Sequence, residues 1–207
     1  MTNSKHMWFM AGISIVALVL SGCGALRSTP AALSPVGNNV TVSTMRITSS
    51  AFAHNQMIPF TYTCDGKNIN PPLAFSGVPE EARSLVLIVD DPDAPRGTWV
   101  HWLVWNIDAA AGGFPEAVDF STSGWHIQQG TLGQYAPLPP LEGTTSFGTT
   151  GYGGPCPPSG THRYFFKLYA LDTVLNLPAT ADKAQLEGAV DGHALATAEL
   201  IGLYQRQ

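Results

Sequence analysis

The chain has 207 residues, a formal net charge of −5, and only 12% charged residues against 44% hydrophobic ones. With no basic run, the composition argues against nucleic acid as a partner and against electrostatic adhesion to anionic headgroups, and a fold so poor in charge must rest on apolar packing and turns.

The N-terminal segment reads as a targeting signal. Lys5 and His6 give a weakly basic start, and Trp8 to Leu20 is almost wholly apolar. A run of about thirteen residues is short for a bilayer span but suits the apolar region of a signal peptide. Leu20-Ser21-Gly22-Cys23 then places two small residues before a cysteine, which resembles a bacterial lipobox. Residues 1–22 are therefore expected to form a lipoprotein signal peptide. Cys23 would be acylated after cleavage, and each buried CH₂ of its acyl chains would add about 0.8 kcal/mol of membrane affinity. The protein would then be lipid-anchored at the extracytoplasmic face of the cell membrane. Residues 23–42 comprise that cysteine and a flexible tether, small, polar and broken by Pro30 and Pro35. One domain of ordinary size is expected over 43–207.

Within that domain, Met45–Thr48 and Ile58–Thr63 read as edge strands, the second because Pro59 cannot donate to a ladder. The aliphatic run Leu85–Val89 fits a strand buried on both faces. Trp99–Ile107 shows two apolar faces, interrupted by His101 and Asn106, and His162–Leu171 reads similarly. Between them, Pro137–Gly160 is rich in Gly, Pro and Thr and is predicted to be a long loop of functional character. Thr180 or Asp182 would cap a short helix through Val190, and Asp191 a second through Tyr204. This pattern predicts a mainly β domain, an antiparallel β-sandwich with one or two short C-terminal helices.

Two stretches carry the chemistry. Asp90-Asp91-Pro92-Asp93-Ala94-Pro95 leads to His101, and Gly151-Tyr152-Gly153-Gly154-Pro155-Cys156-Pro157-Pro158 leads to His162-Arg163-Tyr164. Proline after Asp91 and after Ala94 restricts the preceding residues, so the carboxylates are held in place. Crowded carboxylates repel one another unless cations or donors neutralise them. They could cap turns, bind a metal, or orient imidazoles around a ligand. A carboxylate on one ring nitrogen fixes a histidine's tautomer. Glycine lets backbone N–H groups approach an anion closely, and Tyr164, two residues after His162, shares its strand face. Cys64 and Cys156 form an even pair in an oxidising location, and are either bridged or two unpaired thiols.

Asp-Pro-Asp-Ala-Pro, Trp-x-His-Trp, Gly-Tyr-Gly-Gly-Pro-x-Pro-Pro and His-Arg-Tyr together resemble the signature blocks of the phosphatidylethanolamine-binding protein family. The Cys64–Leu73 segment and the Gly-Tyr-Gly-Gly-Pro-Cys loop are similar to its bacterial, Raf-kinase-inhibitor-like branch. The resemblance implies an antiparallel β-sandwich with a small anion pocket at one end. Carried over by motif, the ligand-binding residues are Asp91, Asp93, His101, Gly154, Pro157, Pro158, His162 and Tyr164. Val100 stands where many members carry a second histidine, and the C-terminal helix that gates the pocket in mammalian members has no clear counterpart here.

The expected function is binding of phosphate-containing headgroups or phosphoesters without catalysis, cofactor or metal. The alternative is a protease inhibitor or a protein-interaction and signalling module that uses the Pro137–Gly160 loop. A hydrolase lacks support, since the sequence holds no Gly-x-Ser-x-Gly elbow. A metal site of His101, His162 and Asp91 is the weakest alternative.

Overall fold

The computed structural model describes residues 44–120 and 140–206. In chain order these form β1 (Arg46–Thr48), β2 (Gln56–Met57), a 3-10 turn (Phe60–Tyr62), β3 (Leu73–Ser76), β4 (Ser84–Asp91), β5 (Trp99–Asp108), β6 (Gly113–Phe114), β7 (Leu141–Glu142), β8 (Thr161–Leu171), α1 (Lys183–Val190) and β9 (Ala194–Gln205). The expected signal segment, Cys23 and the tether lie outside the described residues.

The aliphatic run in β4 lies at the centre of a six-stranded sheet, ordered β2-β9-β8-β4-β5-β7, and a three-stranded sheet is ordered β1-β3-β6. Pairing is antiparallel except between β2 and β9. All eight residues of β4 are buried, because both faces of the large sheet are covered. One face carries Leu85, Leu87, Val89, Trp102, Val104, Phe166 and Leu168, which share a core with Ile47, Leu73, Phe75 and Phe114 of the small sheet. The other carries Val86, Ile88, Leu103 and Trp105, packed under Leu186 and Val190 of α1 with Leu175 and Ala181 beside them. The result is a sandwich of two sheets with a helix on its outer side. Among the described residues no helix is long and apolar enough to cross a membrane.

The first predicted helix is present as α1. Asp182 is its cap, accepting from the Gln185 N–H at 2.9 Å, while the Gln185 side chain accepts the Asp182 N–H at 3.1 Å. This reciprocal pair satisfies two otherwise unpaired amides. The second predicted helix is absent. Gly192, at φ +77°, turns the chain after α1, and β9 then pairs with β8 along almost its whole length. The alanines and leucines of this segment favour a helix in isolation. Ala196, Ala198, Leu200 and Tyr204, however, recur at every second position or a multiple of it and meet the inter-sheet core, so tertiary pairing overrides local propensity. The strand expected at Ile58–Thr63 is likewise displaced. It ends at Met57, and Pro59, which has no N–H, begins the 3-10 turn.

Two bulges mark β5, and the one at His101 positions the site. Asp90 pairs with Val100 and Val89 with Trp102, leaving His101 as the extra residue. Val100 therefore packs on the helix side, while Trp102 packs between the sheets. A bulge re-aims a side chain without breaking the strand, and here the side chain is an imidazole. The second bulge lies between Leu85 and Leu87 on the partner strand, where Asn106 adopts φ +57°.

Candidate functional site

The three crowded carboxylates have separate partners: strand alternation sends Asp90 and Asp91 to opposite faces of the sheet, and Asp93 lies in the turn beyond β4. Asp90 faces the helix side, fully buried, with Lys167 Nζ at 2.9 Å and Lys183 Nζ at 2.6 Å. Asp91 faces the inter-sheet side. Its Oδ1 accepts the Asp93 N–H at 2.8 Å, closing the turn, and its Oδ2 accepts His162 Nδ1–H at 2.7 Å. Asp93 turns outward, where Arg163 grips it through Nε at 2.9 Å, Nη2 at 2.7 Å and its backbone N–H at 3.0 Å. That guanidinium holds the Asp93 carboxyl well below the usual range, at about 2. The repulsion expected from the sequence is thus relieved by separate partners.

His101 and His162 have different roles. His162 sits on β8 with Asp91 as its buried partner. His101, 3% exposed, is fixed from the other side: its Nδ1 lies 2.6 Å from the Gly153 carbonyl oxygen. A carbonyl can only accept, so Nδ1 carries the proton. Burial pushes the His101 pKa down despite the Gly153 carbonyl and the nearby Asp91 and Asp90 charges, which favours the neutral ring.

Tyr164 completes the cluster. Its ring meets that of His101 edge-on, with centroids 5.2 Å apart. The hydroxyl is buried beside the Asp91 carboxylate and the Cys156 backbone, both within its reach, although neither contact meets strict hydrogen-bond distance and angle. Burial, then the Asp91 charge, pushes the phenol up, so it remains a donor.

The Gly-rich segment is fastened to the preceding 62–68 loop at four points. Cys64 and Cys156 form a disulfide. Cys64 N–H donates to the Pro155 carbonyl at 3.1 Å, Tyr152 O–H to the Tyr62 carbonyl at 2.9 Å, and Gly154 N–H to Asn68 Oδ1 at 2.7 Å. Gly154 thus has a structural partner in this latch. Its N–H is engaged by Asn68, and glycine stands there because a Cβ would lie 2.7 Å from both that oxygen and the Tyr62 carbonyl. Pro157 is buried and Pro158 exposed. Of the residues read from sequence, Asp91, His101, His162 and Tyr164 come together, whereas Asp93 and Gly154 are tied to partners of their own. Residues 137–139 of the long loop lie outside the described residues.

Sequence reading missed Asn68 and Phe147. Asn68 has φ +56°, a conformation asparagine tolerates better than most residues, but its partner is distant in sequence. The Phe147 ring lies against Gly153, where a Cβ would come within 2.3 Å of it, and edge-on to His101 at 5.4 Å. An isolated phenylalanine in a Gly/Thr-rich run gives no periodic signal.

Comparison with known proteins gives a consistent result. The phosphatidylethanolamine-binding protein family model matches residues 48–205. A "UPF0098 protein" of Methanothermobacter thermautotrophicus is 49% identical over 162 residues, covering 78% of this chain and 99% of that protein. Among solved structures, a putative phosphatidylethanolamine-binding protein homolog from Chlamydia trachomatis aligns with a TM-score of 0.69 at 41% identity, covering 80% of this chain and 99% of the other. YbcL of E. coli, described as a new member of the mammalian family, aligns with a TM-score of 0.67 at 30% identity, covering 79% of this chain and 99% of its own.

Proposed function

The chain belongs to the phosphatidylethanolamine-binding protein family, and from that premise we propose that it is a membrane-anchored, non-enzymatic lipoprotein that binds the phosphate group of a headgroup or phosphoester. The observation that carries this reading is the buried Asp91–His162 pair, in which Asp91 takes Nδ1 of the ring, with the Tyr164 hydroxyl beside it. Three positions then face a small anion. Tyr164 donates from its O–H. His162, with Nδ1 taken by Asp91, offers Nε2 and donates from it when protonated. His101, neutral and anchored by Gly153, offers Nε2 as an acceptor, which suits a phosphate that retains one P–OH. A charge-assisted contact in such a sheltered place is stronger than the same contact in water.

The remaining parts of the proposal come from the sequence. Cys23 supplies the membrane anchor, and the tether lets the domain act at the extracytoplasmic face. The test is calorimetric titration of the full chain, reconstituted in lipid nanodiscs, with inorganic phosphate and O-phosphorylethanolamine beside Asp91→Ala. Saturable binding that disappears in the variant supports the anion site. A folded wild type that binds neither compound would overturn it and direct attention to protein partners of the 140–160 segment.

A further inference from the structure

Next to the polar cluster, the disulfide, the Gly-rich segment and Phe147 border a cleft of about 250 Å³. It is lined by the disulfide-bonded Cys64 and Cys156, by Phe147, Tyr152, Gly151, Gly153 and Gly154, and by Asn68 and Thr149, with no charged side chain among the lining residues. Asn68 Oδ1 is already engaged by the Gly154 N–H, and the Tyr152 hydroxyl by the Tyr62 carbonyl. What remains for an occupant is chiefly apolar surface. Phe147 is 44% exposed, although its ring is braced edge-on by Trp99 at 5.5 Å and by His101 at 5.4 Å.

The cleft and the cluster share structure. Phe147 walls the cleft and touches the His101 ring, and Gly153 lines the cleft while its carbonyl fixes His101. Cys156 lines the cleft and brings its backbone beside the Tyr164 hydroxyl. A ligand whose phosphate meets Tyr164 and the two histidines therefore has this cleft as a neighbouring space for the group it carries.

Size and charge narrow that group. A dry apolar cavity of about 150 Å³ is enough for benzene, so 250 Å³ has room for an aromatic ring or a short alkyl chain. An ammonium group would lose hydration there and meet no carboxylate among the lining residues, while Glu142 Oε1, behind Gly151, already accepts from Trp102 Nε1. We propose that the phosphate-bearing ligand is an apolar phosphoester, aryl or short alkyl, whose ester group lies in this cleft against Phe147 and the Cys64–Cys156 disulfide. The proposal rests on the anion-binding reading above and selects among its ligands.

The test compares inorganic phosphate, O-phosphorylethanolamine and phenyl phosphate by calorimetry on the full chain in nanodiscs, with empty nanodiscs subtracted. Phenyl phosphate should bind about tenfold more tightly than inorganic phosphate, the gain expected from burying part of one ring, and O-phosphorylethanolamine should show no such gain. The exposed Thr149 side chain allows Thr149→Trp to fill the cleft, and Phe147→Ala removes its wall. Each should bring the ratio of phenyl phosphate to phosphate affinity towards one. Equal affinities in the wild type, or a ratio that survives both substitutions, would overturn the cleft assignment alone. Failure of inorganic phosphate and both esters to bind would overturn the anion site and the cleft assignment with it.

Discussion

His162 Nδ1 and Asp91 Oδ2 meet at 2.7 Å although they stand 71 positions apart in sequence, and both side chains are nearly closed off from solvent. Asp91 fixes which imidazole nitrogen faces the ligand. Replacing His162 by alanine removes a charge-assisted contact of about 1.5–3 kcal/mol, so phosphate affinity should fall by about ten- to a hundredfold. The circular dichroism spectrum should stay native, although Asp91 loses its buried partner and the melting temperature should drop. Unchanged affinity by calorimetry would remove His162 from the site.

Asp90 provides the contrast. It is next to Asp91 in sequence, but it points to the opposite face of the sheet and joins Lys167 of β8 to Lys183 of α1. Asp90→Ala should destabilise the fold by about 3–5 kcal/mol, because it leaves two partly buried ammonium groups without their shared anion. Phosphate affinity at a temperature where the variant is folded should stay within about twofold of wild type. A thermal melt paired with calorimetry separates the two effects, and a large loss of affinity would mean that the two faces are coupled.

That contrast marks what could be read from the sequence. The run Leu85–Val89, the strand pattern after His162 and the Asp182 cap were all local signals, and each element formed where expected. The family motifs likewise pointed to Asp91, His101, His162 and Tyr164, which the fold brings near one another. The segment 191–204 misled because its alanines and leucines satisfy a helical stripe, while its true period is set by pairing with β8. Asp93 and Gly154 were legible as members of the motif but not in their partners. Arg163 and Asn68 reach them only after the chain has folded back across 70 and 86 positions. The bulge at His101 was equally hidden, since register is a property of two strands together.

Acid should act on the fold through His101 first. Burial, the largest influence, lowers its pKa in the folded chain below the ordinary value of 6.5, and the Gly153 carbonyl, Asp91 and Asp90 only partly oppose it. The unfolded chain therefore takes up a proton more readily, and stability present above about pH 6.5 declines as pH falls. Asp93 has the ordinary sign for a paired carboxylate. Its contribution is present above its unfolded value and is lost as pH falls through about 2. Urea midpoints measured from pH 8 to pH 5 should fall, and His101→Gln should flatten that decline. An equal slope in the variant would assign the effect to other groups.

Membrane attachment is the expectation that rests on sequence alone. Cys23→Ser should leave the signal peptide uncleaved by the lipoprotein route and prevent acylation. In a fractionation experiment the wild type should label with a palmitate analogue and sediment with membranes, while the variant should not label. A variant that still incorporates the analogue would refute Cys23 as the acylated residue.

The Cys64–Cys156 bridge closes a loop of 92 positions, long enough for cross-linking to restrict the unfolded chain strongly. Chain-entropy reasoning gives a contribution of about 3–5 kcal/mol, and a double Cys64→Ser, Cys156→Ser variant should lose that much in chemical denaturation. The Gly-rich segment should nevertheless remain close to its place at low temperature, because three hydrogen bonds from Cys64, Tyr152 and Gly154 hold the same pair of loops. Gly154→Ala cannot keep its bond to Asn68 without moving backbone, since its Cβ would meet the Tyr62 carbonyl at 2.7 Å. Combined with the double serine variant, it should release the segment, and the loss should exceed the sum of the separate effects because both act on one latch. Simple additivity in a double-mutant cycle would show that the bridge and the hydrogen bonds restrain the loop independently.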